Sequence, residues 1–344
     1  MPKPTSIKDI AKAAGVSHST VSRALADSPL VALKTKRRIQ RIAREMGYTP
    51  SAIARGLVTR RTHTIGLVVT TIADPFIAEV VRGVEERAMD DGYSVILCDC
   101  NAEPERELAC VRTLREKRVD AIIVTSSRVG SLYVPLLEEL GVPVVLINNQ
   151  HEGRYVYSVR NDDLKGGQLV GQHLASLGHR RIAYISGPPN ASSSFTRLEG
   201  CRLALQEHGL KVHSDRVMPG NGRTDGGEAG VALLLRRSPR PTAIFCYNDV
   251  TAIGALRALK GAGLRVPQDV SLVGYDDIPF AAFVDPPLTT VAQAKHTLGQ
   301  RAMALALRLL SEGDGGEGRP EADDVVLTPS LVERSSCAVL PRAH

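Results

Sequence analysis

At 344 residues, with 43% hydrophobic residues, no Trp and a formal charge of +6, the chain is too long for one small domain. It suits a short segment followed by a two-lobed body packed by aliphatic side chains. No window supplies the roughly 20 consecutive apolar residues of a bilayer span, and the N-terminus lacks a secretory signal's apolar core, so a cytoplasmic protein with no membrane partner is expected.

The charge is unevenly spread. Met1 to Thr62 holds 13 Lys and Arg against 3 Asp and Glu, and the rest holds 30 against 34. Such asymmetry suits a segment that meets phosphates with salt-dependent affinity. That segment opens on Ser6 to Ala26, SIKDIAKAAGVSHSTVSRALA. Ile7, Ile10, Ala11 and Ala14 recur at the spacing of one buried helical face, with Lys8, Asp9 and Lys12 outward. Thr5 or Ser6 can cap this helix, and Gly15 suits the left-handed conformation that ends it. Ser17 caps a second helix, Thr20 to Leu25, which buries Val21, Ala24 and Leu25 and exposes His18, Ser19, Ser22 and Arg23. In a helix-turn-helix this second helix enters the major groove, and an Arg there fits the O6 and N7 acceptors of guanine. The same pattern also describes a helical hairpin of any small domain, with Arg23 merely solvated.

Lys34 to Met46 predicts a third helix, with Ile39, Ile42, Ala43 and Met46 on one face and Gly47 at its end. In Pro50 to Arg61, Ser51 can cap a short helix of Ala52 to Val58, too short to hold helical form alone. It reads as a linker that folds only when held, which gives a distal site a means of control.

From Thr64 strands and helices alternate: IGLVV, a helix from Phe76 to Met89, SVILCD, a helix near Glu105 to Glu116, AIIVT, a helix ending at Leu140, and VPVVLIN. A second series runs through Leu164 to Leu177, IAYISG, a helix around Arg197 to Glu207, Gly226 to Leu235, TAIFCY, Val250 to Leu259 and VSLVGY. Repeated strand–helix units with β-branched strands predict two doubly wound parallel sheets, each covered on both faces, joined near Val159 and Thr290. Glu312 to Pro320, EGDGGEGRP, reads as a surface loop.

Ligands of open α/β sheets bind beyond the carboxyl ends of the strands. Polar residues stand there: Asp74-Pro75-Phe76, Ser126-Ser127, Asn148-Asn149, Tyr247-Asn248-Asp249 and Tyr275-Asp276-Asp277. Each alone suits a helix cap; together they suit a cleft that takes sugar hydroxyls or a nucleobase edge. There is no Gly-rich GxxxxGK[ST] loop, no GxGxxG after the first strand, and no GxSxG or HExxH, so neither catalysis nor a cofactor is expected. His173, His179, His208 and His213 read as structural or solvated. The cysteines at 98, 100, 110, 201, 246 and 337 lack zinc spacing and read as reduced thiols, a redox switch through Cys98, Cys100 or Cys110 being the alternative.

The order IKDIAKAAGVSHSTVSRAL, TKRRIQRIAREMGYTPSAIARGL, IGLVV, DPF, GHRRIAYISGP, Arg197-Leu198-Glu199-Gly200, AIFCYND, DVSLVGYDD, PPLTTV and LVERSS, over nearly the whole chain, resembles the lactose-repressor (LacI/GalR) family of bacterial transcription factors. The resemblance implies an all-α helix-turn-helix domain at 1–50, a hinge helix at 51–62 and an effector-binding, dimerising core at 63–344 of periplasmic-binding-protein type. Its first lobe would span about 63–160 and 290–322, its second about 161–289 and 323–344. Ser17, His18, Ser19, Ser22 and Arg23 would face the major groove, with Ile7, Thr20 and Thr35 also at the DNA. Leu57, flanked by Ser51 and Ala54, would wedge into the minor groove of a palindromic operator. Phe76, Asn148, Arg197, Asn248 and Asp276 would form the effector site.

Ala32 stands where the family often has a capping Ser or Asp, a loss of about 1 kcal/mol for the third helix, and Ala26 replaces a frequent Asn. No apolar heptads of a tetramerising tail precede His344, so a homodimer is expected. The chain therefore reads as a regulator, a repressor by expectation, that binds double-stranded operator DNA under control of a small-molecule effector. A sugar or sugar derivative is favoured; a purine or another metabolite is the alternative. A sugar-binding module, or a sugar or nucleoside enzyme without DNA function, is more remote.

Overall fold

The computed structural model describes residues 5–48, 61–127, 141–148, 157–189, 191–312 and 324–340. The chain divides into two units, Met1–Thr62 and His63–His344.

In the first unit, α1 (Ile7–Ala14), α2 (His18–Leu25) and α3 (Leu33–Glu45) bury Ile10, Ala14, Val21, Ala24, Ile39 and Ala43 in one core. Ser6 is the N-cap of α1 and forms a capping box with Asp9. The Ser6 amide and hydroxyl both donate to Asp9, at 2.9 and 2.6 Å, while Thr5 donates to the Met46 carbonyl and so ties the head's two ends together. Gly15 adopts φ 60°, conformational space an L side chain rarely enters. Ser17 Oγ accepts the Thr20 amide at 3.1 Å, so the helix begins at His18, two residues before the expected Thr20. Ala32 leaves α3 without a side-chain cap, as its methyl side chain requires. The segment of Ser51, Ala54 and Leu57 lies outside the described residues.

The second unit holds two parallel sheets. The first contains β1 (Thr64–Val69), β2 (Ser94–Asp99), β3 (Ala121–Thr125), β4 (Val144–Ile147), β5 (Tyr157–Asn161) and, from far along the chain, β11 (Asp324–Leu327), in the order β11-β5-β4-β3-β1-β2. Around it lie α4 (Pro75–Asp90), α5 (Pro104–Glu116) and, after the second sheet, α10 (Lys295–Glu312). α4 crosses α10 at Gly83 and Gly299, where a Cβ on either would run into the carbonyl of His296 or Val80, so only glycine permits the approach. The second sheet, β7-β6-β8-β9, joins β6 (Ile182–Ile185), β7 (Val217–Met218), β8 (Ala243–Cys246) and β9 (Ser271–Val273). It is covered by α6 (Asp163–Ser176), α7 (Ser192–Glu207), α8 (Thr224–Leu235) and α9 (Asp249–Gly261). β6, β8 and β9 are fully buried and mostly apolar, as double coverage demands, while Val217 on edge strand β7 is half-buried. The expected helix ending at Leu140, residue Asn149 and most of the loop from Glu312 lie outside the described residues.

Two details of the expected lobe boundaries shift. β10 (Thr290–Ala292) pairs antiparallel with β12 (Ser330–Val332), and Asp276 bridges to Ala292, so 290–292 stays with the second sheet. β11 pairs with β5 in the first sheet, so 324–327 belongs to the first lobe. The lobes therefore exchange chain after Asn161, near Gln293 and between Leu327 and Ser330. These points follow sheet pairing between residues far apart in sequence, which local pattern does not reveal.

Candidate functional site

In the head, Ser17, His18, Ser19, Ser22 and Arg23 are all exposed, carried by the first turns of α2. Ser17 Oγ lies 2.8 Å from both Ser19 Oγ and Thr20 Oγ1, a hydroxyl cluster at a helix N-terminus where backbone amides favour anions. Among the described residues Arg23 has no ion-pair or hydrogen-bond partner. Ile7, Thr20 and Thr35 are half-buried, and Ile7 packs against the head core. Arg38 donates to the Ala14 carbonyl at 2.8 Å and Lys36 pairs with Asp27 at 2.6 Å, so part of the basic charge braces the three helices. The exposed row on α2 stands free of these braces, as do exposed Lys8, Lys12, Lys34 and Arg37.

In the second unit, Arg197 on α7 is the charged centre. It is 4% exposed, and its Nε donates to Asp163 at 2.8 Å while Nη1 donates to the Tyr247 carbonyl at 2.8 Å. Its guanidinium carbon stands 3.8 Å from the Tyr275 ring centroid and 4.8 Å from that of Tyr247. Tyr275 in turn donates to Asp163 at 3.1 Å. Burial pulls the guanidinium down, but Asp163, with Tyr275, Tyr247 and Asp276, outweighs it and holds Arg197 above the usual arginine range. A cation this deep persists only because an anion and two ring faces replace its water.

Asp276, just beyond β9, places Oδ1 3.8 Å from Arg197 Nη1 and accepts from Gln293 Nε2 at 2.5 Å. Gln293 accepts from Asn161 Nδ2 at 2.5 Å. Burial drives the Asp276 carboxyl well above the usual carboxylate range; Arg197 and Gln293 pull it back, and Asp249 and Asp74 reinforce the rise. A guanidinium and a carboxyl thus meet at a buried, polar locus.

Backbone strain concentrates at the same rim. Ser126, Asn148, Asp276 and Asp277 have φ of 47°, 55°, 111° and 51°, each just past a strand end. Non-glycine residues there cost on the order of 1 to 3 kcal/mol each and persist only where their surroundings hold them.

Of the sequence-predicted effector residues, Arg197 and Asp276 come together. Asn248 caps α9, accepting the Thr251 amide and hydroxyl at 2.9 and 2.6 Å and donating to the Gly222 carbonyl at 3.1 Å. Asn148 accepts the Asn161 amide at 3.2 Å. Phe76 packs in the core of the first lobe, at the first turn of α4. The sequence pattern does not mark Asp163, Asn161, Gln293 or Lys295. Asp163 follows the capping Asp162 and reads as a helix-start acid, while Gln293, a polar residue ending an apolar strand at a lobe crossing, was the available signal. His179 is structural, bonded to Thr242 Oγ1 and the Ala338 carbonyl. The six cysteines are free thiols, with Cys100, Cys201 and Cys246 buried. No group of metal-ligating side chains occurs, and no helix is long and apolar enough to cross a membrane, among the described residues.

Known proteins carry the same two parts. Residues 6–51 match the model of bacterial regulatory proteins, lacI family, and residues 172–337 match the periplasmic binding protein-like domain. The chain is similar to the HTH-type transcriptional repressor PurR of Haemophilus influenzae (strain PittEE), 36% identical over 330 residues that cover 96% of this chain and 98% of the relative. Its fold is similar to a lac repressor dimer bound to operator and the anti-inducer ONPF, with TM-score 0.85, 28% identity and coverage of 98% and 100%. It is also similar to a LacI family regulator from Enterococcus faecium with bound ribose, with TM-score 0.72, 31% identity and coverage of 81% and 100%. An exposed polar helix on a basic head, a two-lobed core with a buried charged cluster, and similarity to a repressor over 96% of this chain lead to one conclusion: the chain belongs to the lacI family, as a DNA-binding transcriptional regulator controlled by an effector rather than an enzyme.

Proposed function

We propose that the chain is a cytoplasmic repressor that binds a palindromic operator as a homodimer and senses a sugar or sugar derivative in the cleft between its lobes. The observation that carries the sugar reading is a donor fork facing an acceptor at one buried place: Arg197 Nη1 stands 3.8 Å from Asp276 Oδ1, and both residues are buried. Neighbouring hydroxyls of a sugar each donate and accept, so one can meet the guanidinium while the next meets the carboxylate. The ribose held by the Enterococcus faecium relative supports the same class.

In this reading Phe76, Asn148 and Asn248 complete the effector site, while Ser17, His18, Ser19, Thr20, Ser22 and Arg23, with Ile7 and Thr35, meet the operator. Ser51, Ala54 and Leu57 form the hinge contact, in a head at 1–50 and hinge at 51–62. Two exposed apolar patches support the homodimer: Ile96 and Leu97 on edge strand β2, and Phe280 and Phe283 beyond β9. The lac repressor relative is itself a dimer on its operator.

The test is a thermal-shift panel of D-ribose, other sugars, sugar phosphates and nucleobases, then operator titration with and without each hit. A sugar that stabilises the core and changes operator affinity about tenfold or more, a coupling of about 1.4 kcal/mol, is the expected result. Hits confined to nucleobases would overturn the sugar reading and leave the regulator in place.

A further inference from the structure

The Asp276–Asp277 turn is held from across the lobe boundary. β9 and both aspartates belong to the second lobe, whereas α10 packs on α4, β3, β4 and β5 of the first. Lys295, the first residue of α10, sends its ammonium back to the turn and donates to both backbone carbonyls, that of Asp276 and, at 2.8 Å, that of Asp277. The turn's other supports come from the second lobe's own ribbon. Asp276 N–H donates to Val291 O at 2.8 Å, Asp277 N–H to Thr290 Oγ1 at 3.3 Å, and Arg334 Nη2 to Asp277 Oδ1 at 2.7 Å.

The position of Lys295 runs against local helix chemistry. The first turn of a helix carries partial positive charge and favours Asp or Glu; a lysine there is opposed by the helix dipole. A residue that breaks a local preference without a local gain points to a gain elsewhere. Here that gain is two carbonyl acceptors on consecutive residues with φ of 111° and 51°, conformations that need outside support.

We propose that Lys295 is a positioning residue for the effector cleft: anchored on the first lobe, its ammonium holds the strained Asp276–Asp277 turn of the second and thereby aims the Asp276 carboxylate at Arg197. Rotation of one lobe against the other about the crossings has to move Lys295 relative to the carbonyls it holds. The same motion pulls on the Asn161–Gln293–Asp276 chain, whose amides sit at two of those crossings. The orientation of the carboxylate therefore reports the angle between the lobes, and a ligand that fixes the carboxylate fixes the angle.

The test compares the full-length parent with Lys295→Met, similar in length but without charge or donors, and with Lys295→Arg; Lys295→Gln replaces the Met variant if that variant does not fold. The first readout needs no ligand. Hydrogen–deuterium exchange of 274–278 is expected to accelerate about tenfold or more in Lys295→Met and to return toward the parent rate in Lys295→Arg. A purely local helix role predicts the reverse pattern: slower exchange at the start of α10, because an opposed cation has gone, and no change at 274–278. That pattern overturns the proposal.

The second readout rests on the sugar reading of the cleft. Any sugar bound by the parent is expected to bind Lys295→Met about tenfold more weakly, and parent-like affinity overturns the proposal. If the parent binds no sugar, that reading fails while the exchange measurement still decides the role of Lys295.

Discussion

Arg23 and Arg197 are the same side chain in opposite circumstances. The Arg23 side chain stands exposed on α2, without an ion-pair or hydrogen-bond partner among the described residues, beside exposed serines. Arg197 is 4% exposed, ion-paired with Asp163, hydrogen-bonded to a carbonyl and stacked over two tyrosines. The difference separates two ways of recognising a ligand. A reader of DNA exchanges water for phosphate and base edges, so its donors stay open and contribute little to folding. A sensor that encloses its ligand must fold with its charges already desolvated, and every such charge needs an internal partner. Substitutions in the head should therefore strike binding and spare stability, whereas those in the cleft should strike stability first.

The strongest way to break this contrast is Arg197→Ala. It leaves Asp163 and Asp276 buried beside an empty site, and removing one partner of a buried pair costs about 3 to 5 kcal/mol. Urea unfolding of the core should lose that much. A loss below about 1 kcal/mol, the scale of an exposed pair, would mean that water reaches the cleft freely.

The next effect is a dependence on pH. Burial pushes the Asp249 carboxyl up to about 7, against hydrogen bonds from Thr290 Oγ1 and the Ile278 amide that pull it back. For an acid raised on folding, the native state binds the extra proton. Its contribution to stability is full below the unfolded value near 3.9 and is lost as pH rises through about 7. Asp74 and Asp276, also raised by burial, act in the same sense, while His173 and His179, lowered by burial, oppose it by losing stability as pH falls. Asp249→Asn isolates the first contribution. Between about pH 4 and 7 the parent should lose stability relative to the variant, by at most about 4 kcal/mol. A difference in urea midpoint that stays flat across that range would show that this carboxyl does not titrate there.

The sequence exposed the two architectures because both rest on periodicity: a 3.6-residue apolar recurrence in the head, and β-branched runs alternating with helices in the core. It also points to Asp276, through position after a strand, and to Arg197, through family motif, and the structure brings the two side chains within 3.8 Å. The partners that make those two residues work were hidden. Asp163 looks like one of two capping acids, and its pairing with Arg197 spans 34 residues. Lys295 looks like an ordinary surface lysine until the turn that it holds, 18 residues earlier, folds beside it. The membership of β11 in the first sheet is fixed by its pairing with β5, more than 160 residues away, as in the bond from Ser158 to Asp324. Local pattern carries no record of such contacts.

The smallest expected effect is also the cleanest test of the reader. Arg23→Ala removes a side chain without an internal partner, so urea and thermal unfolding should match the parent within about 0.5 kcal/mol, as for other surface sites. Operator affinity should nevertheless fall by about 1 to 3 kcal/mol, with discrimination relaxed at one base position of each half-site. Titrating the variant on operators substituted at each position separates base reading from phosphate contact. A phosphate role weakens all sequences alike and lowers the salt dependence by about one unit of slope, whereas a base role leaves the slope and flattens one position. Unchanged affinity together with unchanged sequence preference would remove Arg23 from the reading surface and leave discrimination to His18, Ser19 and Ser22 on the same exposed row of α2.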